Sequence, residues 1–155
     1  MKPSRRRWWL RGGLGLLLAL ATIQFVPYGH DRVNPVVAAE PTWDSPATRA
    51  LAKAACFDCH SNETEWPLYA RVAPVSWLIQ RDVSEGRAAL NFSEWQRPQK
   101  EADEAPEKIR ELEMPPAIYG LIHGHARLSA ADRERLARGL ANSLGDRRAR
   151  SHGDH

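Results

Sequence analysis

The chain has 155 residues, with 22 basic and 19 acidic side chains, a formal charge of +3, 11 prolines, 10 glycines and two cysteines. That length suits one small domain plus an extension, and two cysteines exclude the four-cysteine metal clusters. The basic excess lies at the ends, in Arg5 to Arg7 and in Arg147, Arg148 and Arg150. A nucleic-acid-binding face needs organised basic residues, so a nucleic-acid partner is not expected.

Residues 1–28 carry Lys2, Arg5, Arg6, Arg7 and Arg11 and no acid, and a charge-free run extends from Gly12 to Tyr28. A helix from Trp8 to Tyr28 reaches roughly 31 Å, about one hydrocarbon core. Arg11 is placed to snorkel, and Trp8, Trp9 and Tyr28 suit the two interfaces. The segment 1–28 therefore reads as an uncleaved anchor, a single transmembrane helix. Ala19-Leu20-Ala21 supplies the competing reading of a cleaved signal peptide. Arginines ahead of the run favour a cytoplasmic N-terminus. The expected location is the inner membrane, single-pass, with the remainder of the chain in the periplasm.

Residues 29–43 contain Asn34-Pro35 and Glu40-Pro41 and predict an extended linker or strap. The domain proper is expected over 44–145. Ser45 and Pro46 open a helix as N-cap and first helical residue, and Ala47 to Ala55 carry it into Cys56-Phe57-Asp58-Cys59-His60. Pro74 to Glu85 predicts a second helix with Val75, Leu78, Ile79 and Val83 on one face, weakened at Gly86. Residues 91–95 read as a loop entering a short helix. Residues 97–113 read as a solvated helix interrupted at Pro106. Met114-Pro115-Pro116 is a sharp stop, followed by irregular chain through His123 and His125. Ser129 to Asp132 has the form of a capping box for a last helix, whose Leu136, Leu140 and Leu144 recur every four residues. Residues 146–155 predict a frayed basic tail.

The chemistry concentrates in Cys56-x-x-Cys59-His60. A redox dithiol requires a βαβ context, and no convincing strands are present. A zinc site would have to recruit His123 or His125. Two thiols at this spacing match the two vinyl groups of one porphyrin, and the next residue, His60, then becomes the proximal iron ligand. One such motif implies one covalent haem c. Met114 is the only internal methionine and its loop is stiffened by two prolines, so it is the expected distal ligand, with His123 and His125 as rivals. Paired His and Met ligation favours electron transfer over oxygen chemistry. Asn91, Trp95, Trp66 and Tyr119 are candidates to line the haem or bond a propionate.

The stretches CFDCHSNETEWPLYARVAPVSWLIQRDVSEGRAALNFSEW and EMPPAIYGLIHGHARLSAADRERLARGL resemble the bacterial haem-binding domain family of small cytochrome c-like proteins. The resemblance covers roughly residues 30–144. It implies thioether attachment at Cys56 and Cys59, His60 as proximal ligand and Met114 as distal ligand. The expected fold is all-α, a small monohaem cytochrome c-like domain preceded by one transmembrane helix. The expected function is one-electron transfer, by a carrier rather than a catalyst, with the membrane and redox proteins or a respiratory complex as partners. A haem-based sensor and an accessory subunit of a redox complex are the alternatives.

Overall fold

The computed structural model describes residues 5–151. Its regular structure is helical: α1 (Arg5–Ile23), α2 (Pro46–Ala55), α3 (Phe57–His60), α4 (Val75–Ala89), α5 (Ala105–Arg110), α6 (Ala117–Ile122) and α7 (Ala130–Ser151), with 3-10 turns at Leu68–Arg71 and Gly124–Ala126. The last four residues of the expected tail, 152–155, lie outside the described residues. The chain divides into two compact units, one formed by residues up to Val33 together with Trp66–Asp82, the other by Asn34–Glu65 together with the chain from Val83.

In the first unit, α1 stops at Ile23. The Gln24 side chain takes over from the helical ladder: its amide donates to Leu20 O at 2.9 Å and to Ala73 O at 3.0 Å, and its carbonyl accepts the Ala73 N–H at 3.0 Å. This early end corrects the reading of 1–28 as a transmembrane helix. Among the described residues no helix is long and apolar enough to cross a membrane. The physical reason is that the arginines at 5, 6, 7 and 11 fall inside α1. The charge-free part of α1, Gly12 to Ile23, spans only about 18 Å at 1.5 Å per residue, against a core of about 30 Å. The single-pass inner-membrane location, with the domain held in the periplasm, loses the spanning helix on which it rested.

The second unit is built around α7. Its stripe of Leu136, Ala137, Leu140 and Leu144 is buried and meets Ala52 and Ala55 of α2, Ile109 of α5, and Phe57, Leu90 and Phe92. Helix α2 begins as its sequence demands: Ser45 is extended, its hydroxyl accepts the Thr48 N–H at 3.1 Å, and Pro46 follows. The start of α7 is fixed the same way, with the Asp132 N–H donating to Ser129 Oγ at 3.0 Å. Helices α2 and α7 approach closely because residue 139 is glycine. A Cβ there would lie 2.1 Å from Thr48 Oγ1.

The segment 34–43 is a strap bonded to the chain at 93–95. Ala38 and Ala39 N–H groups donate to Ser93 O, and the Trp95 N–H donates to Ala39 O at 2.9 Å. Glu40 secures its end, taking Arg49 Nε at 2.7 Å, Arg49 Nη2 at 2.5 Å and Trp43 Nε1 at 2.7 Å. Beneath the strap, Phe57 and Phe92 stack at 5.6 Å, with Trp43 5.2 Å from Phe92. The charge-rich segment 97–113 differs from the expected solvated helix. Only six residues form α5, and they bury Pro106 and Ile109, because these two, three positions apart, share one face of the helix and Ile109 joins the core with the leucines of α7.

Candidate functional site

Cys56 precedes the turn α3 and Cys59 lies within it; Cys56 lines a cleft that His60 and Met114 also line, and Cys59 is not among the cleft-lining residues. The Cys59 and His60 N–H groups both return to Cys56 O, at 3.2 and 2.9 Å. The next residues are locked from two directions. Ser61 Oγ donates to Phe57 O at 2.8 Å, and Arg87 donates to Ser61 O at 2.8 Å and to Thr64 Oγ1 at 3.0 Å. Asn62 is buried and bonds Ser93 Oγ through its N–H, Asn91 Nδ2 through its carbonyl oxygen, and Glu94 through its amide, at 2.9, 2.9 and 3.0 Å. Buried polar groups are satisfied when partners surround them, and this network fixes the backbone on which His60 stands.

His60 is oriented by the end of α4 and the residue that follows it. Its Nδ1 lies 3.0 Å from Gly86 O and 3.1 Å from Leu90 O. Carbonyl oxygens only accept, so the ring proton is on Nδ1 and the lone pair is on Nε2. Burial holds the imidazole pKa below its ordinary value, against the opposing pull of the Leu90 and Gly86 carbonyls. A neutral imidazole with an oriented Nδ1–H is the form that ligates metals. The Gly86 carbonyl reaches His60 only because residue 86 lacks a side chain. A Cβ there would lie 2.5 Å from Cys59 O.

A cleft of about 430 Å³, including its open mouth, is lined by Cys56, His60, Leu90, Phe92, Glu101, Ala105, Lys108, Ile109, Met114 and Leu140. Its floor is apolar and its rim carries Lys108, which lies 3.4 Å from Glu104 and 3.8 Å from Glu101. Met114 arrives from a tight stop after α5: Leu112 takes φ +65°, and the Glu113 and Met114 N–H groups both bond Lys108 O, at 3.0 and 3.1 Å. Thus Cys56, His60 and Met114, predicted from widely spaced parts of the sequence, line one cleft. Burial, and secondarily the charge of Cys59, pushes the Cys56 thiol up to about 12. A thiol so protonated at neutral pH is no poised redox thiolate.

The other candidates lie elsewhere. Asn91 belongs to the buried network with Asn62, Trp95 stacks on Phe92 at 6.3 Å, and the Tyr119 hydroxyl donates to Asp58. Neither they nor Trp66, His123 or His125 are among the cleft-lining residues. Sequence reasoning missed Gly86, Leu90 and Phe92. Gly86 read only as a weakness in α4, and nothing local marks Leu90 or Phe92 as more than core.

The donor set fits an iron porphyrin: an apolar wall, one neutral imidazole with its second nitrogen anchored, and the Cys56 thiol and Met114 thioether in the same cleft, with Cys59 three residues along the chain. The family model described as a haem-binding domain matches residues 18–142. The chain belongs to the haem-binding domain family. No curated protein and no solved structure matched it. In this haem-binding domain the match takes in α2, the Cys56–His60 turn, the Met114 stop and most of α7.

Proposed function

We propose that this haem-binding domain carries a single haem c, attached through Cys56 and Cys59, whose iron His60 and Met114 would hold, and exchanges single electrons with a redox protein partner. The observation that carries the reading is the common cleft lined by Cys56, His60 and Met114. Haem bound there supplies a one-electron iron couple, whose potential the axial ligands tune.

The chain's own residues account for the rest. The Gly86 and Leu90 carbonyls hold the His60 proton on Nδ1 and raise the donor strength of Nε2. Leu90, Phe92, Ile109 and Leu140 exclude water from the cleft, and a low dielectric and limited access favour electron exchange over ligand chemistry. Lys108 at the rim offers a cation to a propionate or to an acidic partner surface. The test is the optical spectrum of purified holoprotein, reduced, with and without carbon monoxide. A six-coordinate low-spin spectrum insensitive to carbon monoxide is expected for the wild type, with carbon monoxide binding gained in Met114→Ala. Ready carbon monoxide binding by the wild type would contradict the electron-transfer reading, and an unchanged spectrum in Met114→Ala would remove Met114 as ligand.

A further inference from the structure

A second group of ligating side chains assembles in the same unit, separate from the residues that line the cleft. One ligand atom each from Asp58, His123 and His125 lies within 4.8 Å of the others. Asp58 comes from α3, and the two histidines flank Gly124 at the turn that follows α6. The imidazoles are parallel, 5.6 Å apart with 9° between their planes. Tyr119 stands edge-on to His123 at 4.3 Å and donates its hydroxyl hydrogen to Asp58 Oδ2. The other carboxylate oxygen accepts the Glu65 N–H at 2.8 Å. Metal-ligating carboxylates are characteristically held in this way by outer hydrogen bonds.

We propose that Asp58, His123 and His125 form a second metal centre, taking one divalent ion of the zinc class. Two imidazoles and a carboxylate are donors that such ions accept, and three protein ligands leave a position for water. Metal–donor distances of about 2.0–2.2 Å bring tetrahedral donors to about 3.5 Å from one another, so small side-chain rotations close the group around an ion. Asp58 and His123 are half-buried and His125 is exposed, which gives an ion a route from solvent and makes the site exchangeable. None of the three residues is among those lining the cleft, so the proposal stands whether or not Met114 ligates haem.

The experiment is a competition of Zn²⁺ between a colorimetric chelator and the full-length haem-loaded chain, in a background with His152→Ala and His155→Ala so that the tail contributes no ligand. One zinc per chain is expected, at micromolar affinity. Loss of an outer hydrogen bond in Tyr119→Phe should weaken binding about tenfold. His125→Ala should weaken it further, while His125→Asp, which keeps a ligand, should retain it. Copper(II) bound in place of zinc should show nitrogen coupling in its electron paramagnetic resonance spectrum, and lose part of it in His125→Ala. No zinc binding, or equal affinity in the background chain, His123→Ala and His125→Ala, would overturn the proposal and leave the cluster as a clamp between α3 and α6.

Discussion

Residue 86 shows how a single missing side chain positions the site. Gly86 lies in the interior of α4, where glycine costs about 1 kcal/mol relative to alanine, yet a Cβ there would press against the Cys59 carbonyl. Gly86→Ala should therefore destabilise the domain despite its better helix propensity. It should also displace the carbonyl that holds His60 Nδ1. The expected outcome is a drop of roughly 1–3 kcal/mol in urea unfolding and reduced haem incorporation. A neutral or stabilising effect would mean that α4 and the Cys59 turn are free to separate. At the same scale, Asn62→Ala leaves Asn91 Nδ2 without the side-chain oxygen it donates to and Val36 O without the amide that donates to it. Stranding buried polar groups costs about 1–3 kcal/mol each, and thermal unfolding of the variant should show a loss of at least that size.

Among the elements, the pairing of α2 with α7 and the strap over the aromatic cluster carry the next predictions. Gly139→Ala drives a methyl group into Thr48. It should cost roughly 1–3 kcal/mol, and a second change, Thr48→Ser, which removes one of the clashing atoms, should recover part of it. The strap is pinned by Glu40. The hydrogen bond from Arg49 leads the effects that hold its carboxyl below the ordinary value of 4.5, against the opposing effect of burial. A carboxylate with a depressed folded pKa contributes stability that is present above its unfolded pKa and lost as the pH falls through the folded one. Stability should therefore fall below pH about 4.5, and Glu40→Gln should flatten that acid limb while lowering stability at pH 7. Denaturant midpoints across pH 3 to 7 for the two chains check both parts.

The legibility of these elements in the sequence was uneven, for physical reasons. The helix starts at Ser45 and Ser129 were readable because capping is local chemistry. So was the Leu136–Leu140–Leu144 stripe, because a helix repeats its buried face every three to four residues. The buried side of 97–113 was not, since Ile109 and Pro106 are isolated among charges and become core only against α7. The end of α1 escaped detection for a similar reason. Nothing local in the apolar run marks Ile23 as its last helical residue, whereas Gln24 finds its partners at Ala73, 49 residues away. His60 and Met114, read from residue type and uniqueness, line one cleft, but Leu90 and Gly86, whose carbonyls orient His60, act through backbone atoms that carry no sequence mark.

For the whole molecule, the cleft sets what haem contributes. Its walls, Leu90, Phe92, Ile109 and Leu140, belong to the same core that joins α2, α5 and α7. A haem held through thioethers stays on the unfolded chain too, so it stabilises the native state through the iron bonds and apolar burial made only there. The haem-free chain should thus unfold at lower denaturant than the loaded one, with a smaller slope, because it exposes less newly buried surface. The most direct test of the central claim, that one haem is covalently held at the Cys56–His60 turn, is the intact mass of the denatured holoprotein. The expected result is the polypeptide mass plus one haem, with the increment absent from the Cys56→Ala, Cys59→Ala double variant. A wild-type chain that sheds its haem on denaturation, and so weighs only its polypeptide, would contradict the account.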